Sequence, residues 1–564
     1  KDNKYQLAKD FKAMAIPSPI QEMIMARVYS LQDSTRTVLQ TGSVIEREFS
    51  YDLIRWVTGL PEQPLLTHLS ALKDSELLYE RGIYPQASYI FRHALSREVV
   101  YDSILGKKKK ELHEEIGKGI EELYKDSLAE HYGVLAEHFF VSENFAKSAE
   151  YLRMAGRKAE KAASFPDAIA HSKKRIACLE KLPMTDEGQR KIIDARTALA
   201  FYLGQLNYYF EAKEAIDPII DLAIKQDYKK RLCQIITIQG VYHYMVEENF
   251  PAAFQAFEEA LKISDEIKDI LTSSYANHWF GMALSYNCEF DKAIFHMQRT
   301  LDISIAAKSL WGTAITKGNL AHYCYLYPGR ISLGFQTTAE ALRAAEESGD
   351  IMSKGYVYSS HGIFCYARGL LEEAERHLLK GIEFCERINE KGWKAIAHLF
   401  LGETYFAMGD FPRSKDYYEK LCKLLEDAHL MPSSVGWAKI GVARSRAMNN
   451  EKDVDLESLY THSRNNRVKR GEGEISKYIG EILLKIDDQH ISEAEHWIRK
   501  AIEADQRNRM MFHLGKDYAL YAELFKRKGD RLKAQENLGK AIEIFKECGA
   551  DGWLEKAEKE LTVL

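Results

Sequence analysis

The sequence lacks the features that mark membrane-embedded or intrinsically disordered proteins. No run of about 18 apolar residues occurs, so we expect no membrane span, and the first residues do not resemble a signal peptide. Only 12 of the 564 residues are proline and no long linker interrupts the chain, which favours continuous helix over disorder. The formal net charge of −5 gives no long-range attraction toward nucleic acid or an anionic membrane.

The eight cysteines occur singly, without any CxxC pair. This spacing predicts neither a zinc site nor a disulfide framework. Unpaired thiols are typical of a reducing compartment, so we expect a cytoplasmic location. The cysteines are Cys178, Cys233, Cys288, Cys324, Cys365, Cys385, Cys422 and Cys548.

Motifs of the common enzyme classes are absent as well. There is no GxxxxGK[ST] phosphate-binding loop, so no ATPase core is expected, and there is no HExxH or GxSxG. No strand-rich region offers the two metal-binding aspartates of a class III nucleotide cyclase. His131 and His138 are seven residues apart on a predicted helix, and we interpret them as a structural or surface pair. We therefore expect no catalytic residue, no cofactor and no metal ion in this chain, and no enzymatic activity of its own.

From residue 106 the chain reads as one helix after another, and small residues recur at a regular interval. Eight of them, called the anchor residues here, lie 39–42 residues apart. Independent helices would not keep a constant interval, so the interval indicates repeated helical hairpins. The anchor residues are Gly240, Gly281, Ala321, Gly362, Gly402, Gly441, Gly480 and Ala522.

A large residue follows the anchors inside the next predicted helix, as Phe257 follows Gly240 and Tyr418 follows Gly402. A small residue lets two helix backbones approach, and the large side chain fills the space on the neighbouring helix. One hairpin cannot bury its apolar face alone, so the hairpins must stack. The pattern resembles the tetratricopeptide repeat (TPR) family over roughly residues 130–564, although the usual TPR unit has 34 residues. We predict an all-α, TPR-like superhelical solenoid with a period of about 40 residues.

The chain before residue 231 departs from this regular interval. Ala136 and Gly156 are anchors only 20 residues apart, so the hairpins of this region are irregular. Residues 77–84 and 89–91 are two short apolar runs around a Gly and a Pro, which predict a β-hairpin after three helices. That order is typical of a winged-helix module. The predicted domains are a winged-helix-like α/β-hairpin module at 1–105, degenerate TPR hairpins at 106–230 and a TPR-like array at 231–564.

The first 105 residues carry a resemblance of their own, at segments 16–21, 39–45, 91–95 and 99–104. These segments look like the region that follows the ATPase core in bacterial STAND-type signalling ATPases, especially those fused to a class III adenylate/guanylate cyclase domain. Glu46 stands where that family usually has Gly. The resemblance implies a parent protein with cyclase, ATPase, winged-helix and TPR parts, of which this chain, which starts at Lys1 and not at Met, holds the last two.

The first helices of stacked hairpins line the concave surface of a TPR superhelix. Side chains expected on that surface form an aromatic, histidine-dotted stripe with almost no charge, which suits a groove that grips a peptide or a helix. The alternative is that these residues only pack on each other. The candidate groove residues are Tyr244, Tyr275, His278, His322, Tyr325, Tyr356, Tyr366 and Phe406.

Three functions are compatible with these features. The leading hypothesis is a scaffold or sensor module of a signalling ATPase, which binds a protein or peptide and contacts its own ATPase or cyclase domains. The second is a transcriptional regulator that uses the winged helix on DNA, although the candidate recognition helix at 65–76 carries one Lys and two acidic residues. The third is a part of a cyclase whose catalytic domain lies outside this chain. We expect no nucleic acid and no membrane among its partners.

Overall fold

The structure, a computed structural model, describes residues 18–84, 86–162, 164–451 and 453–564. Residues 16 and 17, which belong to the first family-like segment, lie outside the described residues. The chain folds into two compact units. The first contains the residues up to Lys161 together with Ala170–Gly188, and the second contains Ala162–Ile169 and Gln189–Leu564. None of the described helices combines the length with the hydropathy that crossing a lipid bilayer requires.

The first unit combines helices with one small sheet. Helices α9 (Phe165–Leu179) and α10 (Asp186–Gln205) cross the division between the units. The elements before them are α1 (Ser18–Tyr29), α2 (Asp33–Ile45), β1 (Glu48–Ser50), α3 (Tyr51–Thr58), α4 (Glu62–Asp74), β2 (Leu78–Arg81), β3 (Ser88–Phe91), α5 (Ala94–Asp102), α6 (Gly106–Leu123), α7 (Tyr132–Val141) and α8 (Phe145–Lys161).

The predicted β-hairpin is confirmed, because β2 and β3 pair antiparallel with Glu80 opposite Tyr89. A third strand, β1, joins the other edge of β3 and was not predicted. Three residues are too few to show an alternating pattern, and the strand is recognisable only by its partner. The Phe49 ring of β1 packs against Gly42 of α2, where a Cβ would lie 2.6 Å from the ring. The missing side chain at Gly42 therefore lets the sheet lie directly on α2.

The second unit contains helices only among its described residues. After α10 the helices are α11 (Tyr209–Ile216), α12 (Ile220–Lys225), α13 (Lys229–Met245), α14 (Phe250–Ile267), α15 (Ile270–Tyr286), α16 (Phe290–Ala306), α17 (Leu310–Leu320), α18 (Ile331–Ser348), α19 (Ile351–Ala367), α20 (Leu371–Arg387), α21 (Gly392–Met408), α22 (Phe411–Ala428), α23 (Pro432–Met448), α24 (Leu456–Arg464), α25 (Glu472–Ile486), α26 (Ile491–Arg507), α27 (Met511–Arg527), α28 (Arg531–Cys548) and α29 (Asp551–Val563). A π-helical segment, Ala321–Tyr325, follows α17.

Consecutive helices from α13 onward pack as antiparallel hairpins, and the first helices of neighbouring hairpins also touch each other. The predicted all-α, TPR-like solenoid is confirmed. The anchors act as expected, because a Cβ on Gly240 would lie 2.8 Å from the Phe257 ring. Tyr418 fills two such spaces at once, since Gly402 and Gly441 both face its ring. The repeat interval in the sequence is therefore the interval of close backbone contacts between helices.

Adding one methyl group at an anchor is expected to destabilise the second unit. In Gly240→Ala the new Cβ would overlap the Phe257 ring, and this overpacking outweighs the better helix propensity of alanine, with a net loss of about 1 kcal/mol. Gly539→Ala on α28 is the matched control, because nothing lies within 4 Å of its Cβ position. We expect the control to gain about 0.5–1 kcal/mol. Equal shifts of the two variants in urea unfolding would contradict the assigned role of the anchors.

The second unit winds into a superhelix whose successive turns touch every five hairpins. At the start of α23 the Met431 N–H donates to the Met245 carbonyl, at the end of α13, over 2.9 Å. At the start of α29 the Gly552 N–H donates to the Arg368 carbonyl, at the end of α19, over 2.8 Å. Each contact joins unsatisfied donors at a helix N-terminus to unsatisfied acceptors at a helix C-terminus. The turns therefore stack head to tail, which closes much of the inner surface.

Candidate binding site on the inner helices

The inner helices, defined here as the first helices of the hairpins from α13 to α27, carry or lead directly into all eight predicted groove residues. Four of these residues are buried, namely Tyr244, His322, Tyr325 and Tyr366. Their exposed fraction is 8% or less in this conformation, which leaves a ligand almost no surface to contact. The other four keep part of their surface accessible: Tyr275, His278, Tyr356 and Phe406. The groove therefore stays a prediction, and the structure places its accessible part on these four residues.

Two of the buried groove residues pack against aromatic rings of other helices of the second unit. His322 lies edge-on to Trp393 and Phe400, with ring centroids 5.3 and 5.9 Å away. Tyr366 lies edge-on to Trp553 of α29 at 5.6 Å. Tyr325, at the end of the π-helical segment, belongs to the same apolar core as Tyr244 and Tyr366. Most of the buried groove residues therefore contribute to the packing of the core, which is the alternative that the sequence left open.

Three of the four accessible members lie in a set that we call the inner aromatic patch: Phe201, Tyr275, His278, Trp279 and Tyr356. Phe406 lies elsewhere, under the Arg444 guanidinium. The Tyr275 ring lies 5.6 Å from Phe201, and the His278 Nε2 atom lies 3.3 Å from the Asn319 side-chain nitrogen. All five side chains are half-buried. Burial lowers the pKa of His278 to about 4, so this ring is neutral at pH 7.

A hydrogen-bonded chain connects the two halves of this patch. The Tyr209 ring lies 5.8 Å from Trp279, and its hydroxyl donates to the Asn207 side chain over 2.8 Å. The Asn207 amide donates to Glu390, which in turn accepts the Trp393 N–H at the start of α21. The Tyr356 ring then lies 5.5 Å from the Trp393 ring. The two halves of the patch are therefore connected through buried side chains.

From α21 onward the inner helices carry a group of charged side chains, called the charged cluster here. The sequence pattern predicts a nearly uncharged stripe instead. The centre of this charged cluster is Glu403 of α21, which is 4% exposed. Its carboxylate accepts from Arg444 of α23 at 2.8 Å and from Lys516 of α27 at 3.3 Å. It also accepts from three tyrosine hydroxyls on the inner and neighbouring helices. These are Tyr366, Tyr418 and Tyr478.

One further acid and two further bases complete the charged cluster. Glu474 of α25 accepts from Lys477 at 3.4 Å and lies 3.5 Å from the His513 Nε2 atom. Burial would raise the pKa of Glu403, but the charges of Arg444 and Lys516 bring it well below its usual range. Burial also raises the pKa of Glu474, but His513 and Lys477 together bring that pKa below its usual range. Both glutamates therefore stay ionised in the interior. The cluster joins four inner helices, α21, α23, α25 and α27, through charge-assisted hydrogen bonds.

Two aspartates beside this cluster have no such partners. Asp505 of α26 and Asp517 of α27 are 1% and 0% exposed, and their carboxyl oxygens have no hydrogen-bond partner within the described part of the chain. The Asp505 carboxyl lies against the backbone of Gly473, where a Cβ would be 1.9 Å from its Oδ1 atom. Burial raises the pKa of Asp517 to about 7, and burial together with the neighbouring Asp517 charge raises the pKa of Asp505 well above its usual range. The pair therefore holds at least one proton at neutral pH.

Two close groups of histidines lie outside the candidate groove. His131 and His138, predicted to be a structural or surface pair, contact different partners: His131 packs on the Tyr124 ring, while the His138 Nδ1 atom lies 2.8 Å from that of His113. The other group was not predicted from the spacing. It consists of His361, Cys365 and His377, whose potential metal-ligating atoms all lie within 4.8 Å of one another.

A model of the tetratricopeptide repeat family matches residues 355–427. The match runs from within α19 to the end of α22, which is two hairpins and less than half of the chain. These are also the hairpins that carry Tyr356, Tyr366 and Glu403. The likeness to the TPR family is therefore shown for this part of the array. No curated protein sequence matches this chain.

Several solved structures are similar in fold. One is a Signal Transduction ATPase with Numerous Domains (STAND) protein with a tetratricopeptide repeat sensor from Pyrococcus horikoshii, at 14% identity over 97% of this chain and 67% of that one, with a TM-score of 0.31. Another is the Rap conjugation gene regulator of plasmid pLS20 in complex with the Phr* peptide, at 15% identity over 64% and 96%, with a TM-score of 0.42. A third is a Rap protein complexed with competence and sporulation factor, at 13% identity over 72% and 99%, with a TM-score of 0.34. At these identities and TM-scores the similarities carry no argument about ligand or activity.

Proposed function

We propose that the second unit is a protein-interaction module that binds a peptide segment on the inner aromatic patch. The observation that carries this proposal is the contrast along the inner helices. Tyr244, His322 and Tyr366 are buried, whereas Tyr275, His278 and Tyr356 keep accessible surface. A ligand can contact these partly exposed aromatic side chains, whereas the buried side chains around them offer it no surface.

The chemistry of the patch favours a peptide with apolar side chains. Tyr and Trp offer large apolar faces with a hydrogen-bonding tip, at a small cost in conformational entropy. His278 is neutral, and the carboxylate of the nearby Glu390 already accepts from Asn207 and Trp393. The patch thus offers apolar contact and hydrogen bonds rather than charge, which suits backbone and apolar groups of an extended chain.

The proposal is tested with a displayed library of random peptides, selected against the full chain and then measured as free peptides by fluorescence anisotropy. We expect selected peptides to bind at least tenfold more weakly to the double variant Tyr275→Ala with Tyr356→Ala, which corresponds to about 1.4 kcal/mol. The matched control is Tyr460→Ala, which removes a half-buried ring that stacks on Trp497, away from the inner helices. Equal affinity for both variants, or the absence of any selected peptide, would remove the patch as a binding site.

We also propose that the chain is the regulatory part of a STAND-type signalling ATPase. In the first unit the order α2, α3, α4 and then the β2–β3 hairpin supports a winged-helix module. Lys73 on α4 pairs with Glu80 of β2, which favours a packing role over DNA binding. The chain is proposed to be non-catalytic, since the unusual carboxyl pair, Asp505 and Asp517, is sealed from any substrate. Linkage to a cyclase domain and a cytoplasmic location remain predictions.

A further inference from the structure

Three potential metal ligands converge within one hairpin of the repeat array. His361 and Cys365 are four residues apart on α19, so their side chains share one face of that helix. His377 lies on α20, the second helix of the same hairpin, and its ring centroid is 4.9 Å from that of His361. One ligand atom from each residue lies within 4.8 Å of the other two. We propose that His361, Cys365 and His377 bind a zinc ion.

The hydrogen bonds around His361 prepare it for this role. The Thr338 hydroxyl lies 3.0 Å from the Phe335 carbonyl, which can only accept, so its single proton is used there. The same Thr338 oxygen lies 2.9 Å from the His361 Nδ1 atom, so it must accept a proton from that nitrogen. His361 therefore carries its proton on Nδ1 and keeps a free lone pair on Nε2. Zinc-binding histidines are typically oriented in this way by their second nitrogen.

Among the described residues, the other two ligands have no hydrogen-bond partner or disulfide that would compete with a metal ion. The His377 Nδ1 atom is buried without a hydrogen-bond partner. Leaving such a nitrogen unpaired costs about 1–3 kcal/mol, and a metal ion would remove that cost. The Cys365 side chain is fully buried, and its thiol is free. Zinc binding would replace the S–H bond with an S–Zn bond and release the proton to solvent.

The ligand set selects the metal. Two imidazoles and one thiolate suit zinc, which accepts nitrogen and sulfur ligands in a tetrahedral arrangement. Tetrahedral bonds of about 2.0–2.3 Å place ligand atoms about 3.3–3.8 Å apart, so the present arrangement must contract by about 1 Å. The half-buried His377 can make this movement. Three protein ligands leave the fourth position to water or to an external donor.

Cobalt, a spectroscopic substitute for zinc, tests the proposal on the full chain, prepared without a histidine tag and stripped of metal by a chelator. We expect one equivalent of Co²⁺ to produce a thiolate-to-cobalt charge-transfer band in the near ultraviolet, and zinc to displace it. Cys365→Ser should abolish the band. Cys385→Ser, which changes an equally buried thiol on α20, should retain it. Thr338→Val should weaken zinc binding about 10–100-fold, since it removes the acceptor that orients His361.

X-ray absorption on the zinc-loaded wild-type chain needs no variant and gives a second test. We expect one sulfur and two imidazole nitrogens around the metal. A zinc environment without sulfur, no charge-transfer band in the wild type, or a band that persists in Cys365→Ser would each overturn the proposal. Circular dichroism of every variant separates loss of metal binding from loss of fold.

Discussion

The substitution Glu403→Gln is expected to lower the free energy of unfolding of the second unit by about 3–5 kcal/mol. Glutamine keeps the size of the side chain but removes the negative charge that neutralises Lys516 and, together with Glu481, Arg444. Lys516, whose side chain is 10% exposed, would then be left as a nearly buried cation whose acceptors, the Tyr366 hydroxyl and the new amide oxygen, carry no charge. A buried charge that has lost its counter-charge is one of the few causes of so large a decrease in the free energy of unfolding. Urea unfolding followed by circular dichroism measures the change.

The control for this prediction is an ion pair of the same type on the surface. Glu457 pairs with Arg464, and its side chain is 75% exposed. Solvent screens such a pair, so Glu457→Gln should change stability by less than about 1 kcal/mol. If Glu403→Gln were as mild as Glu457→Gln, the charged cluster would not be holding the inner helices together.

The substitution Asp517→Asn is expected to stabilise the protein, and to do so only at higher pH. Because the folded-state pKa of Asp517 is raised from 3.8 to about 7, the folded protein binds a proton that the unfolded chain releases. Wild-type stability must therefore fall as the pH rises from about 4 to about 7. Asparagine carries no charge to bury, so the variant should be more stable by about 1–3 kcal/mol at pH 8 and nearly equal to wild type at pH 4.

Asp530, at the start of α28, gives the opposite case. Hydrogen bonds from the Lys533 side chain and backbone lower its pKa, so its stabilising contribution is present above about pH 4 and is lost as the pH falls. Asp530→Asn should therefore bring no gain at pH 8. A pH-independent effect of Asp517→Asn, in melting curves measured from pH 4 to pH 8, would show that the buried pair does not hold the proposed proton.

The repeat architecture could be predicted because it depends on local spacing. Gly240 and Phe257 lie on the two helices of one hairpin, and so do Gly402 and Tyr418. Their contacts follow from the small-then-large pattern of the sequence. The β2–β3 hairpin was predictable for the same reason. The strand β1 was not, because three residues acquire their extended form only by pairing with β3.

The nature of the candidate site was predicted only in part. The stripe of Tyr and His on the inner helices was located by counting from the anchors, but the sequence gives no measure of how tightly the superhelix winds. That winding buries Tyr366 and leaves Tyr356 accessible. One signal of the charged cluster was visible, since Arg444 occupies a position where the repeat pattern has an aromatic residue.

By itself the sequence determined that the chain forms stacked helical hairpins at intervals of about 40 residues, because backbone approach at a glycine and the large side chain that fills it are set by nearby residues. The tertiary structure alone decided which inner residues meet. Met431 and Met245, or Trp553 and Tyr366, come together only because five hairpins complete one superhelical turn. Contacts over such distances depend on the sum of many small rotations between neighbouring hairpins, and no single segment of the sequence encodes that sum.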